Sequence, residues 1–135
     1  MELKNMKGII HIAIPCNNLD EAHSFYSTKL GAVVARRYED RVTFNFFGHQ
    51  VVCHLDDSFR NYPTSLYPFH IGFTFVDQLD YEAFHAHLKS NDVKFYMEMN
   101  ERFKNLPEVH NTFVILDPSN NLLEFKHYKD NSFIY

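Results

Sequence analysis

Nine histidines are spread through the 135 residues, and two of them occupy the same place in a motif that the chain writes twice. His11 stands in Gly8-Ile9-Ile10-His11-Ile12-Ala13-Ile14, and His70 in Pro68-Phe69-His70-Ile71-Gly72-Phe73-Thr74-Phe75. Each is followed by a Leu-Asp pair, Leu19-Asp20 and Leu79-Asp80, and then by an amphipathic run. The offset is 59 residues at the histidines (70 − 11) and 60 at the leucines (79 − 19). One duplicated and paired module accounts for this. The duplication also relates the last strand of each copy, Val51-Val52-Cys53-His54-Leu55 and Leu122-Leu123-Glu124-Phe125-Lys126, and marks His54 and Glu124 as a second matching pair. Two imidazoles and one carboxylate with open positions make the facial set typical of non-haem Fe(II), which Mn, Ni or Zn also accept. The ligand types alone do not choose among these metals.

Strands must present such residues on one surface, and the alternation does so. In Phe69–Phe75, Ile71, Phe73 and Phe75 share one face, and His70, Gly72 and Thr74 the other. In Ile10–Ile14, Ile10, Ile12 and Ile14 share one face, and His11 and Ala13 the other. Each strand therefore has a greasy side for a helix and a sparse side carrying one histidine, where small neighbours leave room for a ligand. A lone histidine in such a strand is commonly a satisfied, half-buried residue. The matched pair is what turns the reading toward a metal.

The length fits a single domain, 1–135, with module one at about 8–56, a connection at 57–68 and module two at about 69–128. Hydrophobic content of 45% and charged content of 22% fit a globular chain. A net charge of −4 leaves no footprint for nucleic acid or an anionic membrane. The apolar runs are too short to span a bilayer, and Met1-Glu2-Leu3-Lys4 does not open a secretory signal, so a cytoplasmic protein is expected. Cys16 and Cys53 form no CxxC pattern and are read as reduced thiols. Fourteen Phe and no Trp suit a fold with much sheet surface to cover.

The first module reads as a strand from Gly8 closed by Pro15, a cap at Asn18 or Asp20, and a helix on Ala22, Phe25, Tyr26 and Leu30 ended by Gly31. Strands at Ala32–Tyr38, Arg41–Phe47 and Gln50–Leu55 follow. Asp56 to Pro68 is long for a plain connection and is expected to cover something. The second module has a strand from Phe69, a helix on Tyr81, Phe84 and Leu88, and a strand at Lys94–Met99. A basic-centred loop, Asn100–Val109, and a hairpin through Asp117-Pro118-Ser119-Asn120 complete it. Among the other histidines, His85 and His87 face apart on their helix. His127, three residues from Glu124, falls on the opposite sheet face. His49 and His110 sit at strand edges from which either could reach a pocket, and surface turn residue is the preferred reading of each.

Paired β-α-β-β-β modules with a histidine in each first strand and a glutamate near the end resemble the vicinal oxygen chelate superfamily. Its members include glyoxalase I, extradiol dioxygenases, fosfomycin-resistance enzymes, methylmalonyl-CoA epimerase and bleomycin-binding proteins. The resemblance runs from about Gly8 to Tyr128. Three blocks are similar to a small group described as predicted extradiol-type dioxygenases: Phe44 to Leu55, Arg102-Phe103-Lys104, and Leu116 to Lys126. The resemblance implies an α+β fold in which the two modules form an eight-stranded, incompletely closed, barrel-like sheet with helices outside. It also implies His11, His70 and Glu124 as ligands of one divalent metal, with Fe(II) favoured, and a homodimer. His54 falls where glyoxalase I has a fourth ligand, a glutamate. Asn91 and Asn120 stand at turn positions usually Gly, and both residues tolerate the left-handed region.

On this footing an extradiol-type ring-cleaving dioxygenase acting on a catechol-like substrate is the expected function, with His54 as acid/base or as a weak fourth ligand. Glyoxalase-like lyase or isomerase chemistry loses ground, because His54 replaces the second carboxylate. A fosfomycin-type thiol transferase uses the same ligand types, and a metal-free binding protein normally lacks them. Arg102 and Lys104 are expected substrate handles, able to hold a carboxylate or phosphate, and Phe44, Phe46 and Phe73 expected apolar walls.

Overall fold

The duplication reappears as two sheets of identical strand order. The structure, a computed structural model, describes residues 1–58 and 60–135. It divides into two compact units, Met1–Phe59 and Arg60–Tyr135. The first holds strands β1 (His11–Cys16), β2 (Val33–Arg37), β3 (Arg41–Phe46) and β4 (His49–Leu55) in the order β1-β4-β3-β2. The second holds β5 (Ile71–Phe75), β6 (Phe95–Arg102), β7 (His110–Leu116) and β8 (Leu122–Tyr128) in the order β5-β8-β7-β6. In each sheet the first strand lies parallel to the last, and the other neighbours are antiparallel. The fold is α+β with two open mixed sheets, and neither closes into a barrel.

In the first unit, Asn18 Oδ1 accepts from the Asp20 and Glu21 amides at 2.9 and 3.0 Å and starts helix α1 (Leu19–His23). Instead of one even helix to Leu30, the chain widens into a π-helical turn over Ser24–Lys29, in which the Leu30 amide reaches back to the Phe25 carbonyl. The widening turns the consecutive Phe25 and Tyr26 both inward, and the Tyr26 ring lies 5.3 Å from that of Phe44. Gly31, at φ 87°, ends the turn as its position predicts. Pro15 lies within β1 rather than closing it, which an edge strand tolerates. Cys16 and Cys53 are fully buried on the helix side of this sheet.

In the second unit, Asp77 caps α2 (Gln78–Ser90) through the Leu79 and Asp80 amides. Tyr81, Phe84 and Leu88 form the inward stripe. Phe75, Phe113 and Phe125 meet it from the sheet, with the Phe84 and Phe125 rings 4.9 Å apart. After the helix it is Asp92, at φ 51°, that takes the left-handed turn, while Asn91 sits at −101°. Asn120 adopts the expected left-handed conformation, at φ 65°. Asp117 fixes the β7–β8 turn by accepting from the Ser119 and Asn121 amides at 2.9 and 2.8 Å. Strand β6 runs on through Arg102, so the expected loop is confined to residues 103–109. Among the described residues, no helix is long and apolar enough to cross a membrane.

His85 is half-buried at the edge of this unit's core. Its ring meets Phe95 and Phe113 edge-on at 5.2 and 5.0 Å, and among the described residues its Nε2 is buried without a partner. Burial, and next the Lys89 ammonium, lower its pKa against a smaller opposing pull from Glu98. The unfolded chain therefore takes up this proton first as the pH falls. His85 contributes its full stability above its unfolded pKa of about 6.5 and loses it progressively toward the lower folded value. We expect the urea midpoint to drop between pH 7.5 and 5.5, and to drop less in His85→Leu. Equal drops in the two proteins would remove His85 as a source.

Candidate functional site

Strand β8 shows consecutive residues to opposite sides, and the side away from α2 carries Glu124. Its carboxylate is buried, with the residue 5% exposed. Thr112 donates its hydroxyl to Oε1 at 2.8 Å, and His70 Nε2 lies 2.9 Å from Oε2. His70 Nδ1 is 2.9 Å from the Leu66 carbonyl oxygen. A carbonyl oxygen only accepts, so that contact assigns the proton to Nδ1. In a neutral ring Nε2 then presents a lone pair to a carboxylate, two acceptors facing each other. A proton or a cation between them resolves the conflict. An imidazole whose second nitrogen is fixed by a carbonyl, beside a carboxylate fixed by a hydroxyl, is the usual support of a metal ligand pair. Leu66 comes from the segment between the modules, and its side chain packs with Val114, Leu116 and Leu122 on the same face. The connection expected to cover something covers this end of the site.

Gly72 explains how β5 comes close enough. It pairs with Glu124, and a Cβ built on it runs into the Glu124 carbonyl oxygen. The small residue beside His70 therefore makes room for the main chain of β8, not for a ligand.

The first unit differs at the matching place. Ala13, the counterpart of Gly72, pairs with Val52, and His54 pairs with Pro15 and Arg41. Val52, rather than His54, thus stands where the second sheet has Glu124. The burial of Val51 and Cys53 fixes this phase of β4 and leaves His54 exposed, two residues farther along the face that carries His11. His11 opens β1 opposite Gln50 and is exposed. Among the described residues, no three His, Cys, Asp or Glu side chains converge to hold a metal ion. Of the four expected groups, the structure brings His70 and Glu124 together.

The expected handles and walls are distributed unevenly. Arg102 is half-buried at the end of β6, paired with His110, while Lys104 is exposed in the following turn. Phe44 is 1% exposed beneath Tyr26, and Phe73 packs edge-on to Phe75 at 5.0 Å. Alternation puts both on the helix sides of their sheets, away from His11 and Glu124. His127 lies on the helix side, its Nδ1 3.0 Å from the Phe75 carbonyl oxygen and its ring against Tyr81, as its spacing predicts. Tyr81 itself has its pKa raised far above the ordinary phenol value, by burial first and by the Glu124 charge second. Sequence reasoning missed Thr112 and Lys126 on the Glu124 face, and its preferred reading of His110 as a surface turn residue is corrected by that side chain's burial on the same face. Counting in twos from Glu124 and across the hairpin would have found them.

A family model for the Glyoxalase/Bleomycin resistance protein/Dioxygenase superfamily matches residues 8–125. The chain belongs to this superfamily. It is the vicinal oxygen chelate group that the paired modules resemble. A glyoxalase/bleomycin resistance protein/dioxygenase from Alicyclobacillus acidocaldarius is 47% identical over 100% of both chains, with a TM-score of 0.91. The superfamily fold is also shared with the fosfomycin resistance protein FosX from Listeria monocytogenes, at 17% identity over 96% of this chain and 99% of that one, with a TM-score of 0.70. Lactoylglutathione lyase from Agrobacterium tumefaciens aligns at 17% identity over 91% and 95%, with a TM-score of 0.65. No protein of curated function matches the sequence.

The close approach at Gly72 is testable by stability alone. Gly72→Ala must push β5 from β8 and is expected to cost about 1–3 kcal/mol in urea unfolding. Gly8→Ala meets nothing within 4 Å and serves as the control, expected to be near neutral.

Proposed function

We propose that this chain is a metal-dependent enzyme acting on a small molecule, and specifically an extradiol-type ring-cleaving dioxygenase for a catechol-like substrate. The observation that carries the reading is the His70–Glu124 pair, with Nε2 and Oε2 2.9 Å apart and each partner held from behind. The residues fit a divalent cation. His70 and Glu124 would supply two ligands, and His11, its equivalent by repeat, the third. Ferrous iron held by such a set would leave positions for two adjacent substrate oxygens and for dioxygen, and would lend electron density between them.

The chain's own residues do the rest. Thr112 and Leu66 keep the carboxylate and the imidazole aimed. Val114, Leu116 and Leu122, packed under Leu66 with Tyr96 and Met97 against them, close the apolar end of the Glu124 face to water. His54, exposed on the His11 face, is the proposed proton donor and acceptor. Val52 at the place matching Glu124 favours ring cleavage over lyase or isomerase chemistry, because a second carboxylate at that place is what proton shuttling beside a carbonyl would use.

Protein prepared without chelator is expected to hold about one divalent metal per chain. His70→Ala, Glu124→Ala and His11→Ala should lose it, and Thr112→Val should weaken it by roughly 10–100-fold. His54→Ala should keep the metal and lose about 10²–10⁴ in turnover. Equal metal in wild type and His70→Ala would sink the ligand assignment. For the reaction, Fe(II) is loaded under argon, catechols are added and air is admitted while oxygen uptake and the yellow ring-opened product are followed. Parallel tubes hold Zn(II) or Ni(II) with methylglyoxal and glutathione, and Mn(II) with fosfomycin and a thiol. Uptake that needs iron and a catechol is expected, and turnover only in a redox-silent tube would move the chain to the lyase or transferase side.

A further inference from the structure

The strand register orders the Glu124 face of the second sheet into rows. Leu116 and Leu122 form the first, and Val114, Glu124 and Gly72 lie in the next. Asn100, Thr112, Lys126 and Thr74 make the third, and Arg102, His110 and Tyr128 the fourth. The face thus runs from apolar, through the carboxylate, to cationic. The last two rows hold Lys126 and Arg102 and no acidic residue. Nearby acids are engaged elsewhere: Glu101 pairs with Lys129, and Glu98 with Lys89. Lys126 and Arg102 are both half-buried and lie over aromatic rings, Tyr128 and Phe103 respectively, at 5.8 Å each.

We propose that this end of the face seats an anionic arm of the substrate, a carboxylate received by Lys126 with Arg102 beyond it. This rests on the metal-site reading above and names the substrate class within it, a catechol that bears a carboxylate. Lys126 follows Glu124 by two residues on the same face, about 7 Å along the strand. That spacing and the long lysine stem suit a substrate whose diol lies at Glu124 and whose charge lies one ring and a short arm away. Carboxylate is favoured over phosphate because phosphate sites are typically built on converging backbone amides at a helix start or nest, and these rows offer side chains. Lys104, exposed in the turn, has no part in it.

The test compares 3,4-dihydroxybenzoate with its methyl ester, which differs by one methyl group and the loss of the charge, on the zinc-loaded protein by calorimetric titration. Benzoate and inorganic phosphate are added as diol-free probes, and amide NMR shifts report where each binds. The acid is expected to bind at least ~10-fold more tightly than the ester, from a charge-assisted contact. Lys126→Met should abolish that preference, Arg102→Gln reduce it, and Lys104→Met leave it unchanged. Equal binding of acid and ester overturns the proposal, as does a preference that survives Lys126→Met. Failure of both acid and benzoate to shift the Lys126 and Arg102 amides also overturns it, as does phosphate binding more tightly than benzoate. If benzoate binds at Lys126 and the diol adds nothing with or without metal, the anion seat stands and the catechol reading fails.

Discussion

A carboxylate taken out of water must be given partners, and in the second unit this requirement falls on Glu124. An isolated buried charge costs several kcal/mol even after relaxation. The surrounding chain is arranged to answer it: a hydroxyl from β7, an imidazole from the entry to β5, and a glycine that lets β5 approach. The histidine is held in turn by a carbonyl from the connecting segment. Each partner comes from a different element, so the position of one side chain ties four parts of the unit together.

The duplicated module gives the two sheets the same order and the same parallel first-to-last pairing, yet they differ in what they bury. In the first unit the place of the carboxylate is taken by Val52, an apolar residue that needs no such partners. The fold tolerates this because the helix side of each sheet carries the packing. Tyr26 on Phe44 and Phe84 on Phe125 hold the helices down while the opposite faces are free to diverge.

Period-two alternation and the repeat made the architecture legible. They gave the eight strands, both helices, the faces of His70 and His127, and the cap at Asn18, while the Asp77 cap of the second helix went unread. What alternation does not encode is register between strands. The aligned motifs therefore drew His54 to Glu124 when hydrogen bonding sets it beside Pro15 and Arg41. Phe44 and Phe73 were read as walls because aromatic residues beside a site suggest one, although their parity already sent them to the helix side. The π-helical turn was illegible because it breaks the 3.6-residue period by which a helix is read, and so lets two adjacent aromatic rings share the inward side. The role of Leu66 depends on a main-chain carbonyl, which no residue type announces.

The turn between β7 and β8 acts as a ruler for everything on the last strand. Asp117 clamps it through two amides, so Leu122, Glu124, Lys126 and Tyr128 fall on one side and Leu123, Phe125 and His127 on the other. Side chains along a strand have period two, so losing or gaining one residue here exchanges the whole set at once. The carboxylate would then enter the oily layer under α2, and two core side chains would turn outward. Lineages carrying this hairpin can change its letters one at a time, but its length is fixed by parity, and it should drift by substitution and not by single-residue insertion or deletion.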